Sequence, residues 1–218
     1  MKHTRSAAEW EIRDAVLVHA RAEFPGARIV HELVVGGSRA DLAVIGRERL
    51  ILVEIKSEKD GLDRLGSQLR DYLRAAHDVV AVLHRRFFDT TPYADGSARL
   101  AAPQDLSGPV KIWAYPEPSR EVGFGLYRWR WPPPSLRQPH SAHLMALCWR
   151  AELIEIASRH RIAFSSRARI SDLVALCAWH MTGQEICLAV CGALRRRDFA
   201  EADPPINRAE VPIMEAPP

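Results

Sequence analysis

Apolar positions recur at two spacings along the first 115 residues, and the changes between them mark the elements. Ile12, Ala15, Val16 and His19, widened by Leu17 and Ala20, share one side of a helical repeat. Ser6-Ala7-Ala8-Glu9 is a capping-box pattern, so a helix is predicted from there to about Ala22, stopped by Pro25-Gly26. Residues 28–35 read as a strand, Gly36-Gly37-Ser38 as a turn, and residues 39–45 as a second strand. A polar turn at 46–49 leads into a third strand at 50–56. Its Leu50, Ile51, Leu52, Val53 and Ile55 are apolar on both faces, which predicts a central, buried position. Leu65, Leu69, Tyr72 and Leu73 predict a helix over 62–76, followed by strands at 79–83 and 110–115. The order is α-β-β-β-α-β-β, and the short turns make the first three strands antiparallel neighbours.

Beyond this the pattern changes. In residues 122–131, Tyr127, Trp129 and Trp131 alternate with Arg128 and Arg130. Such rows could clamp a nucleic-acid strand, but an edge strand with its aromatics in the core is the preferred reading. Pro132-Pro133-Pro134 marks a boundary. The expected organisation is therefore a first domain at 1–131, a proline-rich linker at 132–140, and a helical lobe at 141–200. The lobe's first helix carries Leu144, Leu147, Ala151, Ile154 and Ala157, and shorter helices are predicted at 171–179 and 184–195. Residues 201–218 are proline-rich and predicted to be disordered.

Composition adds constraints. Apolar residues at 47% and charged residues at 26% suit a globular core. No apolar run reaches the roughly 18 residues of a membrane span, and the start is charged, so a cytoplasmic protein without membrane association is expected. The net charge of +3 does not announce a nucleic-acid binder. The kind of basic residue says more: 26 of 30 are arginine, and only Lys2, Lys56, Lys59 and Lys111 are lysine. Arg195-Arg196-Arg197 could touch phosphates or complement a helix dipole. Cys177 with His180, and Cys187 with Cys191, have spacings a zinc site could use; buried thiols are the plainer reading.

The candidate chemistry lies on the second and third strands. Alternation puts Asp41 on the face of Arg39 and Ala43, and Glu54 on that of Leu52 and Lys56. Across a short turn, both carboxylates can meet at one end of the hairpin. Two carboxylates converging beside an ammonium are costly unless a cation binds between them, and Mg²⁺ commonly takes one or two carboxylates. Such a metal would lower the pKa of a water and polarise a phosphate. Lys56 would position the water or stabilise negative charge, as a compact ammonium whose pKa can shift. The plainer alternative makes Asp41 a turn cap and Glu54–Lys56 a surface ion pair. Against it, both close the most apolar strand, where unpaired charge is expensive.

Residues 39–45, the run Glu54-Ile55-Lys56-Ser57, and Leu62-Asp63-Arg64-Leu65 with Gln68-Leu69-Arg70-Asp71-Tyr72 resemble the PD-(D/E)XK nuclease superfamily. Within it the chain resembles a group of small bacterial and phage members with a helical C-terminal part. The resemblance is specific over residues 28–83. It implies an α/β fold: a restriction-endonuclease-like mixed sheet with an α-β-β-β-α-β core, flanked by helices, plus a small helical lobe. It implies Asp41 and Glu54 as metal ligands, the Ile55 carbonyl as a third, and Lys56 as the catalytic lysine. Gln68 would orient substrate, water or Lys56. Glu11 and Glu32 both qualify as an added acid, Glu32 by following the parity of Val30 and Val34. The literal proline is absent, with Ala40 before Asp41. The expected activity is metal-dependent phosphodiester hydrolysis with Mg²⁺, Mn²⁺ substituting. DNA is the expected substrate, RNA is an open alternative, and a homodimer is allowed. The competing expectation is a nuclease-like fold that binds nucleic acid or a partner without cutting.

Overall fold

The computed structural model describes residues 6–92, 98–103, 106, 109–118, 127–134 and 137–206. Helix α1 (Ala7–Glu23) begins where Ser6 Oγ accepts the Glu9 N–H at 3.1 Å and ends where the Phe24 N–H returns to the Ala20 carbonyl. Its buried stripe is Ile12, Val16, Leu17 and Ala20, with one charged member, Arg13. Strands β1 (Arg28–Val35), β2 (Ser38–Ile45) and β3 (Leu50–Lys56) follow as antiparallel neighbours. Gly36 makes the first turn in a left-handed conformation, φ 60°, which glycine adopts at little steric cost. Helix α2 (Leu65–Ala75) buries Leu65, Leu69, Tyr72 and Ala75, and carries the chain over to β4 (Asp78–His84), parallel to β3. A hairpin of β5 (Asp89–Pro92) and β6 (Ala98–Ala101), which sequence reading missed, precedes β7 (Val110–Tyr115), parallel to β4. The main sheet has the order β1-β2-β3-β4-β7.

The sheet is covered on both faces. Ile12, Val16, Leu42, Val44, Ile51, Val53, Val80, Val82 and Trp113 form the core under α1. The other face carries a larger core that runs from Leu52, Tyr72 and Leu83 into the C-terminal helices. All seven residues of β3 are buried, as expected of a central strand. The molecule is thus a mixed α/β fold, and no helix among the described residues is long and apolar enough to cross a membrane.

The C-terminal half departs from the expected division. Helices α3 (Ser141–Met145), α4 (Arg150–Arg159), α5 (Ile170–His180) and α6 (Gly183–Arg196) share the core of the sheet. The expected first helix is broken at 146–149, where Glu152 accepts the Trp149 N–H at 2.6 Å and starts a new helix. Residues 132–134 and 137–140 are packed against the fold: Arg49 donates to the Pro132 and Pro133 carbonyls, and the His140 N–H bonds the Arg74 carbonyl. Of the expected strand at 122–131, residues 122–126 lie outside the described residues and 127–131 are not strand. There the three aromatics do not share a side. Trp129 and Trp131 pack around His19 and Trp113, whereas Tyr127 meets Phe88. Nor do residues 201–206 hang free: Ala202 bridges Val30, and Asp203 accepts the Ile29 N–H. Residues 207–218 lie outside the described residues.

Arg28 ties these parts together. It is 1% exposed, and its guanidinium donates to the carbonyls of Leu194, Arg195, Arg197 and Asp203 at 2.5–3.0 Å. It thereby fills the carbonyl end of α6 with a fixed cation. The Arg195–Arg197 run is likewise engaged within the chain, with Arg197 buried and the other two half-buried. Arg195 reaches the Gly26 carbonyl, Arg196 pairs Glu155, and Arg197 is buried against Glu152 and the Leu147 carbonyl. Arg28→Met is expected to lower unfolding free energy by ~3 kcal/mol or more, since buried carbonyls lose their donor. Urea unfolding measures this, and a loss under ~1 kcal/mol would show that water replaces the guanidinium.

Candidate active site

The register places three acids in a row across three strands. His31–Leu42 and Leu33–Ala40 are cross-strand pairs, so Glu32 lies opposite Asp41. The next ladder ends at Leu42–Val53, and one step further Asp41 faces Glu54. Like charges directly opposite are destabilising, and the backbone yields here. Glu32 takes φ 58°, a conformation costly for a residue other than glycine. Parity slips at the same level. Val30, Leu33 and Val35 all enter the core under α2, and so do Ala40, Ala43 and Ile45. Asp41 therefore does not share a simple face with Arg39 and Ala43, nor Glu32 with Val30 and Val34, as alternation predicts.

Asp41 turns towards α1. Its Oδ1 accepts from Arg13 Nη2 at 2.9 Å, and its Oδ2 accepts the Ile55 N–H at 2.7 Å. The carboxylate thus holds the strand amide where ladder pairing has stopped. Ile55 presents its amide to Asp41, and the carbonyl expected as a ligand is a separate group of the same residue. Arg13 is fully buried, and the same Nη2 lies 2.7 Å from Glu9 and 3.4 Å from Glu32. Its Nη1 donates to the Asp41 carbonyl at 2.6 Å and meets His31 Nδ1 at 3.3 Å. Arg39 pairs Glu32 from the other side at 2.6 Å. Carboxylate oxygens of Glu9, Glu32 and Asp41 all lie within 4.8 Å of one another.

Glu54 faces α2. Its Oε1 accepts from Lys56 Nζ at 2.7 Å and from Gln68 Nε2 at 2.6 Å, while its Oε2 accepts from the Tyr72 hydroxyl at 2.7 Å. Gln68 Oε1 in turn accepts from Lys56 at 3.0 Å, closing a ring of three side chains. Burial, with Glu54 beside it, pushes the Tyr72 hydroxyl up, so it stays a proton donor. Glu54 and Lys56 are 2% and 8% exposed, far from a surface ion pair. Glu54 does not belong to the acidic triad on the α1 side, although its charge is felt at Asp41.

The structure brings Asp41, Glu54, Lys56, Gln68 and Glu32 to one end of the β2–β3 hairpin. Glu11 is not among them: it accepts from the Tyr115 hydroxyl at 2.5 Å, in a neighbouring cleft of about 190 Å³ with Glu58 and His84. Sequence reasoning missed Glu9 and Arg13. Glu9 had been assigned to the helix cap, where its backbone does serve. Arg13 carried a usable signal, a charge on the buried stripe one turn after a glutamate. The zinc spacings gather no metal-like cluster among the described residues. Cys187 instead meets His77 Nε2 at 3.3 Å, and His77 Nδ1 accepts the Leu50 N–H. A neutral His77 so held carries its proton on Nε2, the wrong tautomer for a ligand at that nitrogen.

A family model described as bacteriophage P4 protein cII matches residues 2–91, less than half of the chain, and spans every residue of this site. No curated protein and no solved structure matches.

Burial and the charge of Glu54 push Asp41 up to about 7, against the opposing pull of Arg13 and the Ile55 amide. Between its ordinary value of 3.8 and about 7, the folded chain keeps the proton that the unfolded chain has lost. Ionising Asp41 therefore costs the fold stability as pH rises through this window, and fully so above it. Asp41→Asn, which imitates the protonated form, is expected to gain stability relative to wild type between pH 4 and pH 7. Paired urea titrations without divalent cations check this. A stability difference flat in pH would mean that Arg13 keeps Asp41 ionised throughout.

Proposed function

We propose that the chain is a Mg²⁺-dependent nuclease of the PD-(D/E)XK type, built on a restriction-endonuclease-like fold and cutting DNA. The observation that carries this reading is the row Glu32, Asp41, Glu54 at the end of the hairpin, with Lys56 anchored 2.7 Å from Glu54. The donor set suits a hard cation. Three carboxylates offer oxygens within 4.8 Å, and the raised Asp41 marks a cluster short of positive charge. Asp41, Glu9 and Glu32 would hold the ion, with Glu54 contributing charge from the opposite side. When bound, it would neutralise phosphate charge and lower the pKa of a water.

The chain's own residues supply the rest. Glu54 and Gln68 take two of the three Lys56 N–H bonds, which fixes the ammonium and leaves one donor for a phosphate oxygen. Tyr72 holds Glu54 from behind, so the ammonium is aimed by packing. A point charge in this ring has no room for a planar guanidinium.

Supercoiled plasmid, linear duplex, single-stranded DNA and RNA incubated with Mg²⁺ or Mn²⁺ give the direct test, with cleavage of DNA expected. Asp41→Ala and Glu54→Ala should each lower cleavage by about a hundredfold or more, with the fold intact by circular dichroism. Near wild-type activity in either variant at saturating Mg²⁺ would remove that residue from the machinery. Lys56→Arg should bind DNA as wild type in Ca²⁺, followed by anisotropy, yet cleave slowly, a loss in turnover and not affinity. Cleavage at the wild-type rate would reduce Lys56 to a counter-charge.

The second reading, a module that binds nucleic acid or a partner without cutting, is favoured by one feature: the triad already holds a cation of the chain's own, Arg13. Absence of cleavage on all four substrates, with binding retained, would select it.

A further inference from the structure

Arg13 has the position of an occupant. Its Nη2 is the point on which Glu9, Glu32 and Asp41 converge, at 2.7, 3.4 and 2.9 Å, inside a cluster whose oxygens span at most 4.8 Å. Opposite oxygens around Mg²⁺ are about 4.1 Å apart, and around Ca²⁺ about 4.6–5.2 Å. The triad therefore has the width of a divalent ion's shell, and the arginine nitrogen stands near its middle. A nitrogen there and a metal ion about 2.1 Å from the same oxygens exclude each other.

The rest of Arg13 shows how the exchange could work. Nη1 has anchors of its own on the Asp41 carbonyl and on His31, so the guanidinium can pivot without leaving α1. Nε is buried and lacks a hydrogen-bond partner in the present position, an unfavourable state for a charged group. Glu32 is held in its left-handed conformation while facing both Arg13 and Arg39. An arrangement that leaves one buried donor unmet and one backbone strained is suited to a second, alternative arrangement.

We propose that Arg13 is an internal cation that competes with the divalent ion, so that metal entry at Glu9, Glu32 and Asp41 requires its Nη2 to withdraw. This rests on the metal-site reading above and adds to it that the resting site is closed by the chain itself. Arg13 acts on the site as a positioning residue, and it sets the concentration of metal at which the site fills. Removing a charge about 3 Å from three carboxylates strengthens their hold on any other cation.

Calorimetry with Mn²⁺ alone, without nucleic acid, gives the first readout. Arg13→Gln should bind Mn²⁺ at least tenfold more tightly than wild type, and Arg13→Lys should fall between them. Equal or weaker binding by Arg13→Gln would overturn the proposal while leaving the metal site standing. No Mn²⁺ binding by either wild type or variant would overturn both. Should Arg13→Gln fail to fold, the wild-type chain answers alone through the Arg13 Nε–H resonance during Mg²⁺ titration. That resonance should shift in step with calorimetric saturation; a saturated site with an unmoved resonance would show that Arg13 stays in place.

Discussion

Three carboxylates stand side by side across β1, β2 and β3, one step past the last pair of the β2–β3 ladder. Glu32, Asp41 and Glu54 share one register level, and repulsion between direct neighbours acts against closing the ladder there. Much of the surrounding structure answers this one conflict. The ladder stops at Leu42–Val53, Asp41 takes over the Ile55 amide, and Glu32 leaves the extended region. A buried arginine arrives from α1, and Lys56, Gln68 and Tyr72 close on Glu54 from the α2 side. Sequence order alone would not put these elements together. The acids determine which side chains of α1 and α2 can be buried against them.

The conflict also explains why the sheet needs both its covers. Asp41 turns to Arg13 of α1 and Glu54 to Tyr72 and Gln68 of α2, so each charge finds its own donors, although the Glu54 charge still raises Asp41. Each face then needs a helix with the right donors. Helix α2 is held by the C-terminal helices packed around it, and these are tied back to β1 through Arg28. The helical block is thus part of what supports Gln68 and Tyr72, although it contributes no group to the site itself. This is a different division of labour from a detachable lobe.

The antiparallel first three strands, both helices of the first half and the meeting of Asp41, Glu54 and Lys56 were legible because each rests on local pattern, whereas Gln68 came from the resemblance alone. Apolar runs two faces wide gave β3 its place, and a short turn aligned Asp41 with Glu54. What was illegible depended on exceptions to pattern. Strict alternation assigned Glu32 and Asp41 to faces from which the slip at their level removes them. Glu9 read as half of a helix cap because the cap is real, and nothing local says that its carboxylate looks elsewhere. Arg28 read only as the start of a strand and Arg197 as a phosphate contact or a partner of the helix dipole, because a long side chain that caps distant carbonyls leaves no periodic trace. Pro132-Pro133-Pro134 read as a boundary and linker, since proline interrupts regular structure whether the segment is loose or bound through Arg49.

The remaining question is one of charge balance, and the site itself frames it. Four carboxylates, Glu9, Glu32, Asp41 and Glu54, meet three cations, Arg13, Arg39 and Lys56. One negative charge is left over in a largely buried space. A proton on Asp41 cancels it, in keeping with a carboxyl that burial first and the Glu54 charge second raise to about 7. On the proposed reading a divalent ion answers it too: it turns a deficit of one into an excess of one where Asp41 has given up its proton, and leaves an excess of two where it has not. With the proton gone and the ion in place, four negative charges meet five positive ones while Arg13 stays, so one positive charge is in excess. If Arg13 withdraws to solvent, Arg39, Lys56 and the divalent ion together match the four carboxylates, so charge balance favours the exchange of arginine for metal. Proton, arginine and metal are therefore linked through a single deficit, and none of the three can be assigned a role without the other two.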